Sequence, residues 1–160
     1  YPVFLSHSSK DKAFAQKTYE ALTNKGAIVW YDEKQLKPGD KIRSAITQGI
    51  DTFDKMILIC SEASLNSWWV ETEIENILQK EEDLRKATNK RHSLLIPIQI
   101  DDYVFSPDCP RELQRQIKST KVGDFREWRN EAIFNQKIDE LIAAINVDRK
   151  PNNPPSYLGL

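Results

Sequence analysis

Two indoles and two carboxylates fall within Ser67-Trp68-Trp69-Val70-Glu71-Thr72-Glu73, shortly after the apolar run Met56-Ile57-Leu58-Ile59-Cys60. A short apolar run, a polar stretch over 61–67 and an amphipathic segment read as strand, loop and helix. The group therefore sits at the carboxyl end of a strand, where open α/β sheets bind ligands. At about 100° per residue, Val70, Ile74, Ile77 and Leu78 form the inner stripe of the helix. Trp69 and Glu73, four apart, share one edge of that stripe, while Glu71 and Glu75 fall near the opposite edge. Glu73 is thus the carboxylate that shares a half-buried edge with an aromatic plane. The plainer alternative is a surface helix whose tryptophan covers the core.

Other chemistry is less well provided for. Cys60 lies inside an apolar strand, and His7 and His92 are far apart, so a cysteine–histidine nucleophile is not suggested and Cys60 reads as structural. Five glycines without a GxGxxG or Walker pattern build no glycine-rich phosphate loop. Ser6-His7-Ser8-Ser9 joins the first strand to the first helix. Its hydroxyls and the helix N–H groups could receive a ribose or phosphate, or Ser8 and Asp11 could simply form a helix cap. Both readings stand at this point.

The elements that must hold these residues alternate, short apolar strands with amphipathic helices, as in a parallel sheet covered on both faces. Strands are expected at Val3-Phe4-Leu5, Ala27-Ile28-Val29-Trp30, Met56 to Cys60, Leu94 to Ile98 and Lys121-Val122. The first helix turns Phe14, Thr18, Ala21 and Leu22 inward and stops at Gly26. A charged loop from Asp32 to Gly39 leads to Asp40 as the N-cap of a helix with Ile42, Ala45, Ile46, Gly49 and Ile50 inside. The Trp-Glu helix runs to about Lys80–Leu84, a short helix covers Arg111–Ile117, and the last carries Phe134, Ile138, Leu141, Ile142 and Ile145. The expected fold is α/β, a flavodoxin-like five-stranded parallel sheet of order 2-1-3-4-5.

At 160 residues the chain fits one domain, expected over 1–148, with a proline-bearing tail or linker over 149–160. The start at Tyr1 suggests a domain excised from a longer protein. A net charge of -1 gives no global field for nucleic acid or anionic membrane. The basic patch Lys86, Lys90, Arg91 and His92 has no interleaved aromatics and reads as a solvated loop. Cys60 in a strand and Cys109 in a polar loop suggest neither a disulfide framework nor a zinc site, and no other metal site is expected. With no signal peptide and no apolar run of membrane-spanning length, the expected compartment is the cytoplasm. No acidic cluster follows the first strand to hold Mg2+, which disfavours a phospho-receiver of the same strand order.

Three segments together resemble the Toll/interleukin-1 receptor (TIR) domain, in the bacterial form that includes NAD-cleaving members. Val3-Phe4-Leu5-Ser6-His7-Ser8-Ser9-Lys10-Asp11 is similar to the family's first box. Val29-Trp30-Tyr31-Asp32, continuing through Leu36-Lys37-Pro38-Gly39-Asp40, resembles its second strand and BB loop. Ser64 to Glu73, with Ser67-x-Trp69 and Trp69-x-x-x-Glu73, is similar to the motif that holds the catalytic glutamate. Val70 stands where many members have Cys, and Ser-His replaces the Ser-Tyr common in animal receptors. The resemblance spans roughly residues 2–147.

It implies NAD+ as substrate with no further cofactor, Glu73 as the catalytic carboxylate, and Trp69 and Trp30 as aromatic walls of the site. Ser6, His7 and Ser8 would meet the ribose or phosphates. Products would be nicotinamide with ADP-ribose or a cyclic isomer, in defence or stress signalling. The resemblance also implies self-association with other TIR domains, the BB loop (Asp32, Leu36, Lys37, Pro38, Gly39 and Asp40) completing a neighbour's site. A non-catalytic TIR scaffold that recruits partners through the same loop is the alternative.

Overall fold

The alternation of short apolar runs and amphipathic stretches builds a five-stranded, wholly parallel sheet: β1 (Val3–Ser6), β2 (Val29–Trp30), β3 (Lys55–Cys60), β4 (Leu95–Gln99) and β5 (Gly123–Asp124). Its order, β2-β1-β3-β4-β5, is the flavodoxin-like one expected. The computed structural model describes residues 3–30, 55–67 and 70–147, with the backbone alone at Thr72 and Glu73. The expected helix after Asp40 and the tail over 149–160 lie outside the described residues.

Around the sheet run α1 (Lys12–Asn24), a short α2 (Glu62–Leu65), α3 (Val70–Thr88), α4 (Arg111–Lys118) and α5 (Glu131–Asn146). On one face, Phe4, Met56, Leu58 and Cys60 pack under Val70, Ile74 and Ile77 of α3 and Leu113 and Ile117 of α4. On the other, Val3, Leu5, Ile57 and Ile59 pack under Phe14 and Leu22 of α1 and Phe134, Ile138 and Leu141 of α5. Alternate residues of one strand thus feed two separate core layers, the two-fold periodicity of a strand buried on both sides.

Local chemistry explains where elements stop. Gly26, at φ +92°, ends α1 in the left-handed region, and its N–H and that of Ala27 return to Thr23 (3.0 Å) and Leu22 (3.1 Å). That closure occupies Ala27, so the ladder of β2 is shorter than the expected Ala27–Trp30 run. At the far end of α3, the Glu81 carboxylate accepts the N–H groups of Leu94 (2.7 Å) and Leu95 (3.0 Å), tying the helix to the start of β4. The Asn130 side chain caps α5 through Ile133 N–H at 3.2 Å. Buried Lys55 donates to the Val147 carbonyl at 2.6 Å, a cation at the carboxyl end of α5.

The fifth strand falls later than expected, at Gly123–Asp124 rather than Lys121-Val122. Gly123 pairs with Ile98, and a Cβ there would stand 3.1 Å from Ile98 Cγ2. Close approach of the Ile98 side chain outweighs the strand propensity of valine, and Val122 instead packs half-buried on the α3–α4 core layer. Cys109, expected in a polar loop, is buried in that same layer. Ala21 is only half-buried; Ala15 supplies the buried alanine of α1.

Candidate functional site

Of the residues singled out above, the carboxyl ends of β1 and β2 and the first turn of α3 carry Ser6, His7, Ser8, Trp30 and the backbone of Glu73. β1 ends at Ser6, and Ser6, His7 and Ser8 are all buried. Strand alternation puts Ser6 on the face of Phe4, toward α3. Trp30, at the end of β2, is half-buried on this face with its ring 5.2 Å from that of Phe4 and tilted 30° to it. Trp30 and α3 therefore share one side of the sheet.

The expected inner stripe of α3 is in place: Val70, Ile74 and Ile77 are buried and Leu78 half-buried. Glu71 and Glu75 are exposed, so of the carboxylates in this stretch these two belong to the solvent side. The backbone of Glu73 lies in the first turn of α3. Trp69 and the BB-loop residues Asp32, Leu36, Lys37, Pro38, Gly39 and Asp40 lie outside the described residues.

The helix-cap reading of the first loop is met in part. Ser8 Oγ accepts from Lys10 N–H at 3.2 Å and caps the 3-10 turn Ser9–Asp11. Asp11 does not return its side chain to Ser8. Its carboxylate accepts a 2.5 Å hydrogen bond from Ser61 Oγ, at the end of β3. Ser61 in turn caps α2: its Oγ accepts from Ser64 N–H (3.1 Å), and Ser64 Oγ accepts from Ser61 N–H (3.0 Å). Asp101, after β4, accepts from Glu62 N–H at 3.0 Å and Tyr103 N–H at 2.9 Å.

Burial pushes the Asp11 carboxyl above its ordinary range; the Ser61 hydrogen bond opposes this, the charge of Asp101 adds to it, and His7 opposes it. Asp101 and α2 lie outside the sequence expectations. The Ser61-x-x-Ser64 spacing was the available signal for α2, whereas the approach of Asp11 to Ser61 spans fifty positions and leaves no local trace.

Burial also drives the Cys60 thiol far above its ordinary value, so it makes a poor nucleophile. The same cause raises Cys109. Both cysteines are free and buried. Among the described residues no group of three or more His, Cys, Asp or Glu could hold a metal ion, and no helix is long and apolar enough to cross a membrane.

A doubly wound parallel α/β domain with buried polar residues after its first strand is the class this architecture defines. The family model described as "TIR domain" matches residues 3–142, and the chain belongs to that family. It is 34% identical over 99 residues to "2' cyclic ADP-D-ribose synthase BtTIR" of Bacteroides thetaiotaomicron, covering 61% of this chain and 32% of that protein. To "2' cyclic ADP-D-ribose synthase AbTIR" of Acinetobacter baumannii it is 30% identical over 142 residues, 85% of this chain and 50% of the relative. To "NAD(+) hydrolase TcpC" of Escherichia coli it is 33% identical, over 61% of this chain and 30% of the relative. The matched region is thus half or less of each of these proteins. Among solved structures, the TIR domains of the activated Roq1 resistosome superpose with a TM-score of 0.61 at 19% identity, covering 91% of this chain and 99% of that one. That likeness is one of fold.

Proposed function

We propose that the chain is a TIR domain that cleaves the nicotinamide–ribose bond of NAD+, with Glu73 as its essential carboxylate. The observation that carries this reading is the backbone of Glu73 in the first turn of α3, on the side of the sheet that holds Trp30. A relative that matches 85% of the chain is named a 2' cyclic ADP-D-ribose synthase and one that matches 61% an NAD(+) hydrolase, which supports it.

The chemistry needs only one carboxylate. As the C1′–N bond breaks, its electron pair returns to the pyridinium nitrogen and nicotinamide leaves neutral, so no acid has to protonate it. Positive charge develops on the ribose, as in glycoside hydrolysis, and an ionised carboxylate stabilises it. The first turn of a helix favours that ionised form. Water then bonds to C1′ and releases a proton, giving ADP-ribose. A hydroxyl of the same molecule attacking instead gives a cyclic isomer.

Ser6, His7 and Ser8 would face the ribose or phosphates from the first loop, and Trp69 and Trp30 would flank the site. Ser8 can do so only with the oxygen capacity left over from capping Lys10. Self-association through the BB loop, activation on assembly, a cytoplasmic setting and a role in defence belong to the same proposal. The test is nicotinamide release from NAD+ by the concentrated chain and by a deliberately clustered form. Release that rises with clustering is the expected result. No release in either form would leave the scaffold reading in its place.

A further inference from the structure

One polar contact at the carboxyl edge joins the loop after β1 to the end of β3. Asp11, in the loop after β1, receives the Ser61 hydroxyl at 2.5 Å. From Ser61 a chain of hydrogen bonds leads without a break toward the Glu73 helix. Ser61 and Ser64 cap each other, and Ser64 Oγ donates to the Ile59 carbonyl at 2.6 Å, anchoring the turn to β3. Leu65 N–H returns to the Ser61 carbonyl at 2.9 Å, Ser67 N–H to Ser64 at 3.1 Å, and Val70 N–H to Ser67 at 3.2 Å. Val70 opens α3, and Glu73 follows in its first turn.

An α2 of four residues has too few hydrogen bonds of its own to hold a direction, so its caps set where it points. Asp101 takes the Glu62 N–H from the β4 side. Two carboxylates from the loops after β1 and β4 thus hold the start of one short helix, itself attached to β3. For stability alone this is a poor arrangement. Asp11 is half-buried and within the field of Asp101, where a neutral acceptor would make the same bond without desolvating a charge.

We propose that Asp11 is a positioning residue: through Ser61 and α2 it fixes the amino end of α3, and with it Glu73, relative to the Ser6–Ser8 loop. The role in turnover rests on the reading of Glu73 as the NAD+-cleaving carboxylate, whereas the clamp itself does not. Its geometric reason is that β1 and β3 are adjacent strands, so one bond across their ends sets the separation of two halves of the site. Misplacement of a reacting group by about 1 Å can cost about a hundredfold in rate.

The test compares Asp11→Ala, Asp11→Asn, Ser61→Ala and the Asp11→Ala/Ser61→Ala double variant in the whole chain. Amide hydrogen exchange and NAD+ kinetics are both read. Asp11→Ala should speed exchange at Ser64, Leu65 and Val70 and leave α5 unchanged. It should lower kcat by about tenfold to a hundredfold with a much smaller change in KM. Asn at position 11 still accepts from Ser61 and should recover most of both losses. The double variant should be no worse than the poorer single one. Unaltered exchange in Asp11→Ala would overturn the clamp, whether or not the chain turns over NAD+. Faster exchange with undiminished kcat, additive losses in the double variant, or an Asn variant as poor as the Ala one would overturn the positioning role. Absence of turnover in the unsubstituted chain would count against the NAD+ reading alone, and exchange would still decide the clamp.

Discussion

The two faces of the sheet are built from different materials. The face under α1 and α5 is closed by aromatic rings set edge to face: Phe14 lies 5.7 Å from Phe125, 5.3 Å from Trp128 and 6.5 Å from Phe134. Lys17 completes the closure, its ammonium 4.4 Å from the centre of the Phe134 ring and hydrogen-bonded to the Trp128 carbonyl and the Glu131 carboxylate. The face under α3 has a mostly aliphatic floor, and the carboxyl edge of the sheet carries buried serines, a histidine and the Asp11–Ser61 bond. Rings at these separations gain from their quadrupoles and from dispersion, and the phenyl groups among them bring no polar atom to satisfy. Buried hydroxyls and carboxylates must each find a partner, which constrains their positions more than it adds stability. The aromatic layer therefore holds the fold together and the carboxyl edge holds groups in place.

Substitutions can break this contrast. Phe134→Ala should cause the largest loss, about 3–5 kcal/mol in denaturant unfolding, while kcat per folded molecule is preserved. A comparable loss of kcat in the folded fraction would mean that the two faces are not separate in function. Trp30→Ala should do the reverse. Half-buried against Phe4, it should cost roughly 1–2 kcal/mol of stability but raise KM for NAD+ several-fold, read by initial-rate kinetics. Gly26→Ala is a control at an exposed position outside both layers. Nothing lies within 4 Å of the added methyl, yet φ is +92°, so thermal unfolding should report roughly 1–2 kcal/mol of backbone strain with kinetics unaltered.

The smallest effect is electrostatic. Arg126 donates three hydrogen bonds to the Asp124 carboxylate, two from its guanidinium and one from its backbone N–H, and its guanidinium donates one more to Asp102. The Arg126 contact holds the Asp124 carboxyl down to about 2. A carboxyl lowered by folding contributes stability above its unfolded value, and that contribution is lost as the pH falls through about 2. Arg126→Ala should return the Asp124 titration toward the ordinary aspartate range, seen by NMR, with little change in stability because both side chains are largely exposed.

Much of this contrast was legible in the sequence where it depended on periodicity. The alternation of strands and helices, the inner stripe Val70–Ile74–Ile77 and the solvent side of Glu71 and Glu75 follow from two-fold and 3.6-fold repeats, whereas the strand order was only favoured by that alternation. Alternation within Val3-Phe4-Leu5 and Lys55–Cys60 feeds both core layers. The misplaced elements depended on non-local fit. Gly123 enters the ladder because Ile98 approaches it, and Cys109 is buried because α4 and the turn before it close over the sheet. At the site, Ser8 and the first turn of α3 were visible as local patterns. The bond from Asp11 to Ser61 was not, because it joins loops after two different strands, and only the sheet brings those loops together.

The central claim is that the edge beside α3 carries a single catalytic carboxylate. The most direct measurement is nicotinamide release from saturating NAD+ by the chain and by its Glu73→Gln variant, with unfolding curves recorded for both. The account predicts a kcat lower by about a hundredfold or more in the variant, at nearly unchanged stability. Retention of the unsubstituted kcat by Glu73→Gln would contradict it.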